Sequence, residues 1–382
     1  MSPPLTLSAC ISGKLPADTV TRTSLQTRSV FLALVVALLA LATGCGGNDD
    51  EAGGATTAAA TQDTTETDGG NANAQALKVG LVTDVGGLDD RSFNFLANKG
   101  LEQAKSELGV QGRVVVSSSN SDYVPNLISL AKAKYDLVIA VGFLMADALD
   151  TVATQYPDTN FAIIDFDQAA MKSKPKNVRG LLFKEQEAGY LVGYLAGLVT
   201  KQEGGSQQVI GSVGGQKIPP VDRYIAGYRA GARKASPGIT TLNAYSQSFV
   251  DQAKCKELAL DQIARGAHVI FQVAGQCGLG ALSAAKENNV RGIGVDADQS
   301  YLGAHILTSA LKKVDVAVFQ TIQAAQDGSF SGGTNSVFDV ASGGVGIGKV
   351  ATDVPADIVA QVNRIQDQLA AGDIKNIPET VG

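Results

Sequence analysis

From Leu77 onward, the chain alternates short β-rich runs with amphipathic helical stretches, and the series occurs twice. Helical segments such as Ser92–Leu108 carry apolar residues at helical spacing. The predicted strands are Lys78–Val82, Arg113–Val116, Leu137–Val141, Phe161–Ile164 and Val178–Phe183, followed by Val209–Val213, Thr241–Tyr245, Val269–Val273 and Gly292–Val295. Such alternation is typical of βαβ units with parallel sheets, so we predict an α/β fold of two doubly wound lobes.

The predicted ligand-binding domain covers residues 77–382. It divides into a first lobe at about residues 77–190, a second at about 205–305, and crossovers with a tail at 306–382. Crossings near residues 185–205 and 305 are expected to form a hinge, and the pattern alone does not assign the tail to a lobe. Ligands bind beyond the carboxyl ends of parallel strands, so two facing sheet edges predict a cleft that closes over a small molecule.

An apolar run near the N-terminus, Val30–Leu41, has the features of an export signal. Arginines precede it and Ala42-Thr43-Gly44 closes it, so residues 1–44 are typical of a signal peptide region. The run is too short to span a membrane, which needs about 20 apolar residues. Residues 1–20 precede the usual start of such a signal, which favours an over-extended start with Val20 as an alternative initiator.

Cys45 directly follows the small residues, as in a bacterial lipobox, whose cysteine thiol is acylated. Leu41 lies one place further from the cysteine than is usual, and a plain secretory signal with an incidental cysteine is the alternative. Residues 45–76 contain no aromatic or large aliphatic side chain, so we predict a disordered tether. We therefore expect a domain on the extracytoplasmic face of the cell membrane, lipid-anchored through Cys45.

The composition disfavours several classes of function. The chain has 37 acidic and 31 basic residues and a net charge of -6, whereas nucleic-acid binding usually needs a basic face. Histidine is the commonest general base and metal ligand, and the chain has only 2. His268 and His305 each begin a predicted strand with no nucleophile arranged beside them. We therefore predict no catalytic residues, no metal site and no cofactor.

Two of the 4 cysteines fall in the predicted domain, Cys255 and Cys277. In an exported domain such a pair often forms a disulfide, and two buried free thiols are the alternative. Two glycine-rich stretches are incomplete phosphate-binding motifs. Gly343–Lys349 has the P-loop spacing, but Val350 replaces the hydroxyl residue that would hold magnesium. Gly275–Gly280 is misspaced for a dinucleotide fingerprint.

Polar residues follow the first predicted strand at the expected edge of the cleft. Asp84 comes directly off the strand, and Phe93 and Asn94 open the next helix. From the residues alone, Phe93 fits the core face of that helix better than a ligand site. Asp89 and Asp90 are expected to cap the helix or to lie in solvent.

The stretch Thr83–Asn94 resembles the opening motif of the basic membrane protein family. These proteins are lipid-anchored substrate-binding components of ABC transporters, similar to purine nucleoside receptors. The resemblance continues, in order, through Asn177–Gly197, Gly211–Gly231, Phe271–Gly280, Gly292–Gln299 and Leu307–Asp315. It implies a type I periplasmic-binding-protein-like fold and an ABC importer component that captures a nucleoside, expected to be a purine nucleoside, and presents it to a membrane permease.

The resemblance also implies a nucleoside site in a closed cleft. Phe93 and Phe249 are expected to stack on the base from opposite lobes, with Phe271 as a rival to Phe249. Carboxylates accept hydrogen bonds from the vicinal hydroxyls of ribose. The expected carboxylates are Asp84, Asp165 and Asp296, each directly after a predicted strand.

The remaining expected contacts are polar or backbone ones. Asn94 both donates and accepts, which suits the edge of a purine. Lys312 or Lys313 is expected to hold a sugar oxygen or to balance the aspartates, and the sequence leaves the choice open. Gly142 and Gly275 are expected to let the backbone approach the ligand closely.

Three other functions share parts of this pattern. A ligand-sensing receptor of the same fold would use closure to engage a sensor instead of a permease. A nucleoside hydrolase would use paired aspartates, although no base–nucleophile pair or acid cluster with an evident metal stands out. A sugar-responsive repressor has this fold class too, but it needs an N-terminal helix-turn-helix where this chain has an export signal.

Overall fold

The computed structural model describes residues 76–203 and 207–382. The predicted signal region, Cys45 and nearly all of the predicted tether lie outside these residues. Within the two ranges, none of the helices combines the length and the apolar character needed to span a bilayer.

Strands and helices alternate through most of the described chain. The strands are β1 (Lys78–Val82), β2 (Gln111–Val115), β3 (Leu137–Ala140), β4 (Asn160–Ile164), β5 (Val178–Phe183), β6 (Val209–Gly214), β7 (Thr240–Tyr245), β8 (Val269–Val273), β9 (Arg291–Asp296), β10 (Ile306–Lys312), β11 (Thr334–Phe338) and β12 (Val345–Ile347). The α-helices are α1 (Phe93–Leu108), α2 (Tyr123–Lys132), α3 (Ala146–Gln155), α4 (Glu185–Glu203), α5 (Pro219–Ala235), α6 (Gln252–Ala264), α7 (Gly275–Glu287), α8 (Val314–Gln326) and α9 (Ala356–Ala370).

These strands form two six-stranded sheets, so the predicted α/β architecture of two lobes is confirmed. The first sheet has the order β11-β5-β4-β3-β1-β2 and the second the order β12-β10-β9-β8-β6-β7. Pairing is parallel throughout the first sheet, and in the second β12 runs antiparallel to β10. Strands buried on both faces are apolar without interruption, as in β3, where all 4 residues are buried.

The C-terminal tail supplies one edge strand to each sheet. β11 pairs with β5 in the first lobe, and β12 pairs with β10 in the second. The chain therefore crosses between the lobes three times within the described residues. These crossings are Phe183–Glu185, Lys312–Val314 and Phe338–Val345. They run side by side, because Lys184 donates its main-chain N–H to Phe338 and Lys313 donates its own to Gly344.

The lobe boundaries differ from those predicted. Helix α4 lies with the second lobe because its glycines admit the backbone of α5: a Cβ at Gly193 would lie 2.0 Å from the carbonyl oxygen of Tyr228. The first crossing therefore lies at residues 183–185, at the start of the helix. β10 continues to Lys312 within the second sheet, so the second crossing follows residue 312 and not residue 305. The third crossing was not predicted, because the strand that it leads to, β12, has only 3 residues and gives no clear periodic pattern.

Candidate functional site

The carboxyl ends of the two sheets face a common cleft of about 620 Å³, its open mouth included. All 9 residues expected to contact a ligand line it. They are Asp84, Phe93, Asn94, Gly142, Asp165, Phe249, Gly275, Asp296 and Lys312. Topology explains the convergence, since the residues come from loops at strand ends, from helix starts and from one crossing.

Asp84 forms the first-lobe wall, beyond the end of β1. Its carboxylate accepts hydrogen bonds from the Tyr123 hydroxyl and, at 2.7 Å, from the main-chain N–H of Val85. Burial raises the pKa of Asp84 to about 6, against the lowering effect of these two donors, and nearby Asp90 adds to the rise. The carboxylate is thus fixed in place and accessible from the cleft.

Asn94 braces this wall. Its Oδ1 accepts from the main-chain N–H of Asp84 at 2.9 Å, and its Nδ2 donates to the carbonyl of Val85 at 3.4 Å. Asp90 lies below it and caps α1. The Asp90 carboxylate accepts from the main-chain N–H groups of Ser92, Asn94 and Phe95 at 2.7–3.0 Å. The capping role considered for Asp90 therefore fits, whereas Asp89 is exposed.

Both predicted glycines line the cleft. For each of them the structure gives a reason to be glycine that does not involve close approach of a ligand. Gly142 has a φ of 113°, and a Cβ there would lie 2.5 Å from Oδ2 of Asp84. It makes room for that carboxylate. Gly275 has a φ of 55°, and its Cβ would meet only Phe249, at 3.5 Å from the carbonyl oxygen and 3.9 Å from the Cβ. Its left-handed backbone at the start of α7 favours glycine.

Lys312 lies at the centre of the cleft floor and is fully buried. Its Nζ is 2.6 Å from Oδ1 of Asp165 and 2.8 Å from Oε1 of Glu185. The Nζ also lies 5.1 Å from the ring centroid of Phe93 and 4.8 Å from that of Phe183. Burial alone would lower the pKa of Lys312, but the surrounding carboxylates outweigh it and raise that pKa.

Of the two neighbouring lysines, Lys312 lines the cleft, whereas Lys313 is half-buried and does not line it. Glu185, the partner of Lys312, is itself fully buried at the start of α4. Its Oε2 lies 3.2 Å from Nη1 of Arg223 on α5. The central cation thus belongs to a buried ion-pair network that joins the first lobe, the crossings and the second lobe.

Asp165 directly follows β4 and Asp296 is the last residue of β9, and both have left-handed backbones, with φ of 72° and 61°. Burial raises the pKa of Asp165 to about 6; Lys312 opposes that rise, whereas Glu185 adds to it. Burial raises the pKa of Asp296 to about 7; here too Lys312 opposes the rise, whereas Asp165 and Asp90 add to it. Oδ1 of Asp296 accepts from the hydroxyl of Tyr224 at 3.2 Å.

Phe249 and its rival Phe271 occupy different environments. Phe249 lines the cleft from the loop after β7, and its ring packs on Gly215, where a Cβ would lie 2.4 Å from the ring. Phe271 is fully buried in the second lobe, with its ring centroid 5.0 Å from that of Tyr228 and 6.1 Å from that of Tyr224. Phe249 is therefore the one that a ligand can reach.

Sequence analysis missed several residues of the cleft. The additional lining residues are Val85, Asp90, Phe143, Ile218, Pro220, Val221, Tyr224, Val273, Ala274, Gln276 and Val295. The loop after β6 contributes Ile218, and the start of α5 contributes Pro220. The topological rule that located Asp84, applied to each strand, finds both. Tyr123 and Glu185 gave no such signal, because only the fold brings them to Asp84 and Lys312.

A disulfide joins Cys255 on α6 to Cys277 on α7, with the Cα atoms 5.6 Å apart. The bond lies behind the loop that carries Phe249. Over residues 76–203 and 207–382, no group of His, Cys, Asp or Glu side chains has a metal-holding arrangement. The P-loop-like stretch Gly343–Lys349 contains the edge strand β12.

Known proteins resemble this chain over nearly all of the described residues. The family model Bmp, described as PnrA-like ABC transporter substrate-binding proteins, matches residues 77–379. An ABC transporter nucleoside-binding protein, BmpA of Lactococcus lactis subsp. cremoris, is 33% identical over 86% of this chain and 93% of its own length. An uncharacterised lipoprotein of Pyrococcus horikoshii is 38% identical over 68% of this chain and 66% of its own.

The similarity extends to solved structures. The crystal structure of an ABC transporter solute-binding protein from Aeropyrum pernix K1 superposes with a TM-score of 0.71 at 28% identity. The match covers 79% of this chain and 94% of the Aeropyrum chain. The two-lobe arrangement is therefore shared with a solute-binding protein over almost the whole of that protein.

Proposed function

Since the chain belongs to the Bmp family of PnrA-like ABC transporter substrate-binding proteins, we propose that it captures a nucleoside, with a purine base, in the cleft between its lobes. A family of this kind binds a small molecule for a membrane permease and does not convert it. The observation that carries the proposal is the meeting of Phe93 and Phe249, from opposite lobes, with three buried aspartates in one cleft.

The two aromatic rings supply the selectivity for a flat heterocycle. A purine presents two polarisable faces, and aromatic side chains stack on such faces with favourable energy. Because Phe93 comes from the first lobe and Phe249 from the second, a base between them would bind both halves of the protein. Closure and ligand binding would then be linked, as a transport receptor requires.

The carboxylates supply the selectivity for a sugar. Asp296 accepts a hydrogen bond from Tyr224 and has a further oxygen for vicinal hydroxyls, which are good donors to an ionised carboxylate. Asp84, on the opposite wall, is held by Tyr123 and can accept from the same ligand. Lys312 balances the charge of the buried carboxylates. A free base would lack the hydroxyls. A phosphorylated nucleoside would bring a negatively charged phosphate next to the buried carboxylates.

The decisive experiment is to identify the small molecule that accompanies the purified protein. Denaturation of the purified protein should release a nucleoside, which mass spectrometry identifies. Calorimetry of the ligand-free protein should give tighter binding for adenosine or guanosine than for adenine, guanine or ribose. The nucleoside should be recovered intact after incubation. Release of free base would support the hydrolase alternative, and absence of binding to any nucleoside would refute the proposal.

We also propose that the protein is exported and anchored through a lipid on Cys45, on the extracytoplasmic face of the membrane. The signal-like residues 1–44 support this, as do lipoprotein relatives such as that of Pyrococcus horikoshii. Replacement Cys45→Ser should move the protein from the membrane fraction to the soluble exported fraction. If the variant stays in the membrane fraction, the anchor assignment is wrong.

A further inference from the structure

The loop Ser246–Asp251, called the Phe249 loop below, connects β7 to α6 and forms part of the second-lobe wall. It has an internal hydrogen-bond network. Ser246 Oγ donates to the carbonyl of Ser248 at 2.9 Å. Ser248 Oγ accepts from the main-chain N–H groups of Val250 and Asp251 at 3.2 and 3.0 Å. These bonds are local. The first two residues of the loop are also held to the end of β6, because Ser246 and Gln247 donate their main-chain N–H groups to the carbonyl oxygens of Gly214 and Gly215 at 2.9 and 3.0 Å.

The Cys255–Cys277 disulfide lies against the second half of the loop. Both residues are fully buried, and they lie in the first turns of α6 and α7. The main-chain N–H of Cys277 donates to the carbonyl oxygen of Phe249 at 2.9 Å. Cys277 Sγ lies 2.8 Å from the carbonyl oxygen of Asp251 and 3.4 Å from Ser246 Oγ. A disulfide sulfur carries no hydrogen, so these are packing contacts, and they reach both ends of the Phe249 loop.

The ring of Phe249 belongs to this second half of the loop. On one side it packs on Gly215, where no side chain could fit, and on the other it faces the cleft. The helices behind the loop have a second contact of their own: a Cβ at Gly280 would lie 1.9 Å from the carbonyl oxygen of Gln252. The α6–α7 packing is therefore close at this contact as well as at the disulfide.

We propose that the Cys255–Cys277 disulfide is a positioning element of the ligand site, which holds the Phe249 ring where it stacks on the base. The inference rests on the proposed function, because Phe249 stacks only on a ligand with a flat ring. Without the bond, ligand binding would have to order the loop and its aromatic side chain. That ordering opposes association and weakens affinity by about threefold to tenfold.

The test is a double-mutant cycle in which calorimetry measures the affinity for adenosine and guanosine. The four proteins are the wild type, Phe249→Ala, Cys255→Ala/Cys277→Ala, and the triple variant. Loss of the ring should weaken binding in the wild type by at least about fivefold, and by no less than removal of the disulfide does. In the disulfide-free background the same change should cost less, by the factor that removal of the disulfide costs alone. The triple variant should then bind about as well as Phe249→Ala.

A stability effect of the disulfide is separated from positioning by a control. Val152→Ala truncates a fully buried side chain on α3, remote from the cleft, and should lower the melting temperature with unchanged nucleoside affinity. If the affinity losses of Phe249→Ala and of the disulfide-free variant simply multiply, the bond does not act through Phe249 and the inference is overturned.

Two further outcomes remain distinct. If neither the alanine pair nor Cys255→Ser/Cys277→Ser folds, the bond is a stability element and the positioning role is refuted. If the wild type binds no nucleoside, the proposed function fails first, and this result is distinguishable from a wild type that binds but shows no coupling.

Discussion

Asp165 and Asp296 hold equivalent places in the two lobes but have different surroundings. Each lies at the carboxyl end of a strand next to the middle of its sheet, is buried, and has a left-handed backbone. Oδ1 of Asp165 lies 2.6 Å from Nζ of Lys312. In the described part of the chain, the carboxylate of Asp296 has only the neutral hydroxyl of Tyr224 as a hydrogen-bonding partner. The first is part of the buried ion-pair network, and the second retains acceptor capacity for a ligand.

The different partners of the two aspartates indicate that a strand end marks the site but does not decide the role of the residue there. The crossing after β10 delivers Lys312 to the first-lobe aspartate, and its second carboxylate partner is Glu185, from another crossing. Left-handed backbones of residues other than glycine concentrate at functional sites. Both aspartates are therefore marked by the same backbone feature, and only their partners separate them.

The largest expected effect comes from removal of the cation that distinguishes the two aspartates. Lys312→Met leaves Asp165 buried without its cation and Glu185 with Arg223 alone, and it should lower the free energy of unfolding by about 3–5 kcal/mol. Urea denaturation measures this change. Lys313→Met is the matched control, and its effect should stay within about 0.5 kcal/mol. Equal effects of the two lysine variants would contradict the central place given to Lys312.

The next effect separates the two aspartates directly. Asp296→Asn should weaken nucleoside binding by about 1.5–3 kcal/mol, the value of a hydrogen bond to a charged group. Its free energy of unfolding should not fall at pH 8, because burial of this ionised carboxylate is unfavourable. Asp165→Asn should change the affinity less, because Lys312 already pairs with that carboxylate. Calorimetry and urea denaturation of both variants check this, and identical profiles would abolish the comparison.

A third effect extends the comparison to the aromatic ring above Lys312. Phe93→Ala should weaken nucleoside binding by about 1–3 kcal/mol if the ring stacks on the base. Phe95→Ala, two residues along α1 and 45% exposed, is the control, and its affinity should equal that of the wild type. A normal affinity for Phe93→Ala would assign the ring to the support of Lys312 alone.

The smallest effect, counted per pH unit, is the dependence of the free energy of unfolding on pH. The pKa of Asp296 rises from its usual 3.8 to about 7 on folding, so the folded state retains a proton that the unfolded state releases. The free energy of unfolding should therefore fall as pH rises from about 4 to 7, and then become level. Asp84 and Asp165, with pKa values near 6, act in the same direction.

Nucleoside binding should show the opposite trend with pH, because ligand hydroxyls donate best to the ionised carboxylate. Affinity should increase as pH rises through 7, by at most about 1.4 kcal/mol per pH unit for one group. Calorimetry in two buffers of different ionisation enthalpy should detect protons released on binding. This release should diminish in Asp296→Asn, and an unchanged release would place the linked proton on another group.

Much of the fold was predictable because local pattern and tertiary environment agree. β3 is an uninterrupted apolar run, and the structure buries all of it. The edge strand β11 has the polar sequence TNSVF and lies largely exposed, so its partner β5 could not be inferred from periodicity. Strand order in a sheet depends on which crossing the chain takes, and such information is not local.

The site shows the same division. The residues at strand ends, such as Asp84 and Asp296, were predictable from topology and from the family resemblance. Glu185 was not, because its meaning depends on Lys312, 127 residues away in the chain. Tyr123, which lies 39 residues from Asp84, was missed for the same reason. The side chains that hold the cleft residues in place became visible only with the fold.

The exchange of edge strands in the tail has a consequence for biogenesis. A chain synthesised only as far as α8 leaves β5 and β10 with unpaired backbone edges, because β11 and β12 follow later. Exposed edges of this kind are prone to pair with other chains. Domains usually mature one after another from the N-terminus. Here both halves must wait for the same late segment, so a newly made polypeptide completes them together.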